Sequence, residues 1–286
     1  MKNHSMKALI SACAELGLGV NNLLTAPSGQ PKLYKSLLRK DRKGKPIYTD
    51  GLMLAPANTS GINVCKWSTI DCRKHCLTYS GRGGMGLVDS LNDCQRARIN
   101  RTLLWAKHPD LFYERLEREI LRSQAYCAKR GFTYALRPNV LSDIQWENTV
   151  LPSILTEHGI RSYDYTKAKP ADRKPWKGYH LTYSHVSSLK RSQAILDAGF
   201  NVAVVFDVRK GRALPETWLG YRTFDADKHD ARFMDRGPIV PALRAKGWDL
   251  VRGLKDGSIR TGRFFQPNRV VDRVSTASLR RLQILA

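Results

Sequence analysis

Apolar positions along the 286-residue chain follow two regimes. Up to about residue 131 they recur every three or four residues. Leu9, Ile10, Cys13 and Leu16 predict a short amphipathic helix, followed by a loop, NLLTAPSGQP. Leu103, Leu104, Ala106, Leu111, Phe112, Leu116, Ile120 and Leu121 predict a longer helical stretch, with Arg96, Arg98, Arg101, Arg115, Arg118 and Arg122 on its other face. Pro109 is placed to open a second helix at its first turn, and Gly131 to close it.

From residue 132 the pattern changes. FTYALR, SYDYTK, YHLTYS and the strongly apolar FNVAVVFD read as strands, and GYRTFD and PIVPAL add shorter ones. Between them, SDIQWENTVLPSILTEHG and SSLKRSQAILDAG read as helical, and KPADRKPWKG as a loop. Alternating strands and helices predict an α/β fold with a parallel sheet, a partial or full (β/α) barrel, behind a mainly helical, cysteine-bearing N-terminal part. The expected organisation is an N-terminal helix and basic segment over 1–60, a cysteine cluster with helices over 61–131, and the barrel-like part over 132–286, with 61–286 forming one domain.

Polar residues gather where these strands should end: Asn139 and Asp143; Asp164, Thr166 and Lys167; Ser184 and His185; then Asp207. Parallel sheets bind ligands outside that carboxyl edge, so four consecutive strand ends carrying such groups predict a site there.

Charge changes the picture most. Lys and Arg number 48 against 25 acidic residues, a net charge of +23 and a pI near 10.0. Such a field attracts polyanions, and nucleic acid, DNA ahead of RNA, is the expected partner. Lys32, Lys35, Arg39, Lys40, Arg42, Lys43 and Lys45 crowd one segment around Asp41, and together with Arg96, Arg98 and Arg101 are candidates for phosphate contact. A solvated surface loop is the plainer reading of the same run. No run of about 18 apolar residues exists, so no membrane span is expected. Glu15 interrupts the N-terminal apolar run, which argues for a helix rather than a secretory signal and for a cytoplasmic protein.

Three of the six cysteines fall in NVCKWSTIDCRKHC, with the spacing C-x6-C-x3-C for Cys65, Cys72 and Cys76; Cys94, further along, is the fourth candidate metal ligand. Paired C-x2-C knuckles of a zinc ribbon are absent. Three clustered thiolates with an open fourth position suit an iron–sulfur cluster, although ferredoxin spacings are absent too. Lys66, Arg73 and Lys74 favour thiolate, and His75 is a substitute ligand. An iron–sulfur cluster or zinc, a regulatory disulfide and purely structural thiols all remain open.

TFDADKHDARFMD sets Asp225, Asp227, His229, Asp230 and Asp235 close together in a chain short of acids. Asp225, Asp227, His229 and Asp230 are candidates for a Mg²⁺ or Mn²⁺ site or for acid–base work. The alternative is a network of ion pairs with Arg222, Lys228, Arg232 and Arg236. No Walker-type phosphate loop, G-x-S-x-G elbow or H-E-x-x-H pair occurs. YHLTYSH, with His180, Tyr183 and His185, lacks the paired histidines of replication endonucleases, and the glycine-rich SGRGGMG follows no clear strand.

Taken in order, LAPANTSGINVC, CRKHCLTYSGRGGM, SDIQWE, SYDYTK, YHLTYS, NVAVVF, DADKHDARFMD and LRAKG resemble the gene-product-88-like group of bacteriophage and prophage proteins, over roughly residues 50 to 247. The resemblance implies a phage or mobile-element origin and a cysteine-bearing part ahead of an α/β, barrel-like part; it brings no reaction. Cysteines ahead of a barrel are also loosely similar to radical-SAM enzymes, from whose C-x3-C-x2-C this spacing departs; S-adenosylmethionine enters as a cofactor only through that likeness. By motif, Cys65, Cys72 and Cys76 are the implied ligands, and Asp143, Asp164, Lys167, Asp225, Asp227, His229 and Asp230 the candidate site residues.

The leading expectation is a phage-encoded enzyme with a cysteine-ligated metal or iron–sulfur centre, acting on nucleic acid or nucleotides. A non-catalytic DNA- or RNA-binding replication factor and an inhibitor of a host protein are the alternatives.

Overall fold

The computed structural model describes residues 5–79, 91–246 and 265–267. Among these, ten strands form one sheet: β1 (Leu24–Thr25), β2 (Ile47–Leu52), β3 (Thr133–Arg137), β4 (Arg161–Thr166), β5 (Tyr179–Ser184), β6 (Val202–Phe206), β7 (Thr217–Trp218), β8 (Tyr221–Asp225), β9 (Val240–Arg244) and β10 (Phe265–Gln266). The order is β1-β2-β3-β4-β5-β6-β9-β8-β7. Every neighbouring pair from β2 through β6 and β9 to β8 is parallel, so their carboxyl ends share one edge. The expected α/β architecture with a mostly parallel sheet is what the chain forms.

Helix α1 (Met6–Glu15) precedes the strands, and α2 (Pro31–Tyr34), α3 (Ile70–Lys74), α4 (Asp93–Lys107), α5 (Pro109–Arg130), α6 (Leu151–Glu157) and α7 (Leu189–Asp197) lie between them. Pro109 opens α5, and Gly131 ends it with a left-handed φ of 69° that a side chain would strain. Leu104 on α4, Phe112, Leu116 and Ile120 on α5, and Leu155 on α6 pack with Leu52 and Leu136 on the sheet. A second core joins Ile195 and Leu196 of α7 to Val202, Val204 and Phe206.

Alternation along the strands sends Ile47, Ala135 and Tyr163 to the other face, where Ala231, Phe233 and Met234 cover them. The segment between β8 and β9 therefore fills the inner side of the sheet. Gly51 lets Val140 and Leu33 press onto β2: a Cβ there would stand 2.6 Å from Val140 Cγ2 and 2.7 Å from Leu33 Cδ1. Gly51→Ala should cost about 1–3 kcal/mol by overpacking, read as a shifted urea midpoint.

The first parallel strand, β2, lies inside the 1–60 segment, where the sequence pattern predicts only a helix and a basic run; its apolar residues are broken by Thr49, Asp50 and Gly51. Arg115, expected on the polar face of its helix, is fully buried. Glu119 one turn on pairs with it at 3.1 Å and accepts the amides of Leu23 and Leu24, pinning the chain ahead of β2. The glycine-rich SGRGGMG lies outside the described residues.

β10 sits on the β5 side of β6. Register explains how: β5 pairs with Val202 and Ala203, whereas β10 pairs with Val205 and Phe206. Strands β5 and β6 part toward their carboxyl ends, and β10 enters the gap.

Candidate functional site

A cavity of about 440 Å³ opens at the carboxyl edge of the parallel strands. Its floor comes from the strand ends: Arg137 and Asn139–Asp143 after β3, Tyr165–Lys167 at β4, Ser184 and His185 at β5, and Arg244 and Lys246 at β9. The chain leaving β2 folds back over it, bringing Cys65, Cys72 and Cys76 into the same wall. Six of the polar residues expected at strand ends, namely Asn139, Asp143, Thr166, Lys167, Ser184 and His185, line it; Asp164 and Asp207 do not.

Short-range contacts fix the cysteine segment. Asp143 donates its amide to the Val64 carbonyl at 2.8 Å, tying the segment to the turn after β3. Cys65 Sγ accepts the Ala57 amide at 3.3 Å and lies 3.5 Å from the Leu141 carbonyl. Cys72 sits in α3, where Thr69 caps the helix by accepting the Cys72 amide at 3.1 Å. Burial pushes the Cys65 thiol up to about 12, and raises Cys72 and Cys76 as well. Cys65 feels the charge of Cys76 and Cys72, which also sense each other, so the three lie within electrostatic reach. Lys167 and Arg73 favour the Cys72 thiolate, and Arg98 that of Cys76. As the side chains stand, no three His, Cys, Asp or Glu among the described residues converge as a metal ion would need. Loading would therefore require the cysteines to turn toward one another. Cys94, exposed in the first turn of α4, is not part of the cavity wall.

Asp143 and Lys167 meet in the floor. Asp143 accepts the Lys167 amide at 2.8 Å and lies 3.3 Å from Arg173 Nη1. Burial raises the Asp143 carboxyl against these partners, and burial lowers the Lys167 ammonium against Cys72 and Asp143. Both groups thus shift toward neutrality, the condition in which a proton passes between side chain and substrate most readily.

Asp164 stands beneath the floor and shapes it. One of its oxygens accepts the Asn139 amide at 2.8 Å and the other accepts from Tyr179 Oη at 2.6 Å. Asn139 in turn accepts from Ser142 Oγ and the Ile144 amide, closing the turn that carries Asp143. Burial lifts the Asp164 carboxyl to about 7. A raised carboxyl pKa means the folded chain holds the proton more tightly, so this group's contribution to stability falls as pH rises from about 4 to about 7. Asp164→Asn mimics the protonated form and should gain stability relative to the wild type across that window, as thermal melts at pH 5 and pH 8 would register.

The acidic cluster separates into ion pairs and none of Asp225, Asp227, His229 and Asp230 lines the cavity. Asp225 lies 2.9 Å from Arg244 Nη1; Asp227 lies 3.4 Å from the same atom and 2.6 Å from Lys246 Nζ. Asp230, fully buried, lies 2.7 Å from Arg137 Nη1 and 3.4 Å from Lys32 Nζ. His229 Nδ1 contacts Arg232 at 2.8 Å, and burial with that cation lowers its pKa to about 4. Of the partners the sequence offered, only Arg232 takes part among these pairs, with Asp235 at 3.2 Å.

The candidate phosphate-contacting residues also divide. Lys32 is drawn into the cavity, and Lys35 Nζ donates to the Asp227 carbonyl at 2.6 Å. Arg98 donates to Thr78 at 2.7 Å, Arg101 to the Asn22 carbonyl at 2.7 Å, and Arg96 pairs with Asp93. Arg39, Lys40, Arg42 and Lys43 remain exposed on a turn held by Asp41, which accepts the amides of Lys43 and Lys45. That turn precedes β2, whereas the cavity follows it; six residues of strand separate them by roughly 20 Å.

Arg137, Arg244, Lys246 and Arg173 were not singled out by the sequence. A charged residue closing the apolar FTYALR was the one available signal, for Arg137; Arg173 sits in a polar loop without pattern.

No helix among the described residues is long and apolar enough to cross a membrane. No curated protein and no solved structure matches the chain. The model of the family described as Gene product 88 matches residues 22–266, a span that takes in the cysteine segment and β2 through β10. The chain belongs to this phage-related gene product 88 family.

Proposed function

We propose that the chain is an enzyme whose cavity holds a metal or iron–sulfur centre on Cys65, Cys72 and Cys76 and transforms a small molecule beside it. The observation that carries this reading is that the three cysteines share one wall of a cavity whose floor holds Asp143 and Lys167. A volume of about 440 Å³ is the size of a small-molecule site, typically some 300–1,000 Å³. Three thiolates would leave a coordination position open, and the centre would supply Lewis acidity or electrons there. Asp143 and Lys167 would move a proton at the substrate, and Asn139, held by Asp164, keeps Asp143 in place. A bacterial host cytoplasm, where thiols stay reduced, suits such a site.

Metal and acid-labile sulfide analysis of anaerobically purified and reconstituted protein tests the proposal. The expected result is bound metal in the wild type and none in a Cys65→Ser/Cys72→Ser/Cys76→Ser variant that still folds. A wild type that stays metal-free after reconstitution would refute it.

The exposed turn carrying Arg39, Lys40, Arg42 and Lys43 favours a second reading, nucleic-acid binding at the edge opposite the cavity. Loss of salt-sensitive DNA retention on neutralising that turn, with metal content unchanged, would support it.

A further inference from the structure

We infer that the cavity takes a phosphorylated small molecule, its phosphate held by Arg137, Lys32, Arg244 and Lys246. This rests on the proposed enzyme site and names its substrate class. The described lining carries six cationic side chains, these four with Arg73 and Lys167, against one carboxylate, Asp143. Such an excess inside a concave, partly apolar site selects an anion.

The arrangement is built, not incidental. Asp230, behind the wall, pairs with Arg137 and Lys32; Asp227, also behind it, pairs with Arg244 and Lys246. These carboxylates fix the cations without occupying the cavity. Arg137 is 6% exposed, so its guanidinium is held almost wholly out of bulk solvent. It spends Nη1 on Asp230, its plane lies 4.9 Å from the Tyr165 ring centroid, and its Nε has no hydrogen-bond partner. Lys32 stacks on the same ring from 5.1 Å. Burial lowers the Lys32 ammonium, with the charges of Arg137 and Arg232 adding to it, and a dianion would relieve that repulsion.

A single carboxylate needs one fork, whereas a phosphate dianion presents three oxygens and two charges, matching paired Arg and Lys donors. Val140, Leu141, Val205, Leu243 and Phe265 give the remaining wall an apolar surface for the body of the ligand.

Calorimetry with inorganic phosphate, a nucleoside monophosphate and, as controls, acetate and succinate tests this on the full chain. Both the metal-loaded protein and the triple-serine cysteine variant are titrated. Phosphate compounds should bind both, and Lys246→Glu or Arg244→Gln should weaken binding about tenfold or more. Lys246, with its side chain 45% exposed, can be changed without emptying the core, and melting curves verify that each variant folds. Equal binding of carboxylates, no binding of phosphates, or affinity unchanged in both variants would overturn the inference. Metal content is read separately, so failure of the phosphate half-site and failure of the cysteine centre remain distinguishable.

Discussion

Asp230→Ala is expected to cost about 3–5 kcal/mol of stability and to lower Tm by roughly 10 °C. Asp230 is fully buried between Arg137, Lys32 and the Tyr163 hydroxyl, which donates from 3.3 Å. Burial opposes its charge, but Arg137, Lys32 and Arg232 outweigh that cost, so the carboxyl titrates below the ordinary range. Removing it leaves Arg137 and Lys32 without the carboxylate they share. The pH dependence has a definite sign. A depressed carboxyl pKa contributes stability that is present above the unfolded value and lost as pH falls through the folded one. The gap between wild type and variant should therefore be full at pH 7 and narrow below roughly pH 4. A gap under about 1 kcal/mol at pH 7 in urea melts would mean that the pair is not holding the inner segment against the sheet.

Serine at Cys65, Cys72 or Cys76 should each lower metal affinity roughly a hundredfold or more, with the melting of the metal-free chain little changed. The change replaces one atom at a half-buried position, and a serine hydroxyl at 65 can still accept the Ala57 amide. Cys94→Ser should leave loading intact. Because burial raises all three thiols, loading must expel their protons. Apparent affinity should thus climb with pH, by about tenfold per pH unit for each proton released. Competition with a chelator at pH 6.5 and pH 8 measures it. Affinity that ignores pH, or that falls equally with Cys94→Ser, would place the metal elsewhere.

The strands from β3 to β6 and the ends of α5 were legible because each has a local cause: alternation or an apolar run, a proline at entry, a glycine at exit. Direction followed from the intervening helices, which is why polar strand ends pointed to one edge. What escaped depended on distant partners. Strand β2 is interrupted by Thr49, Asp50 and Gly51, and its place in the sheet is set by contacts with β3. Strands β1 and β10 have two residues each, too few for any period. Charges near the acidic cluster in sequence were poor guides to its partners. Asp230 reaches back to Arg137 and Lys32, and Asp227 forward to Arg244 and Lys246, across loops that no spacing encodes. Arg115 was misplaced for the same reason, since its burial depends on the backbone of Leu23 and Leu24 through Glu119.

The late entry of β10 between β5 and β6 has a consequence for biosynthesis. Phe265 is part of the cavity wall, and Gln266 approaches His185 Nε2 at 3.1 Å, so the chain through residue 266 must leave the ribosome before the mouth is finished. A nascent chain halted short of residue 265 would therefore present Cys65, Cys72 and Cys76 beside an unfinished mouth.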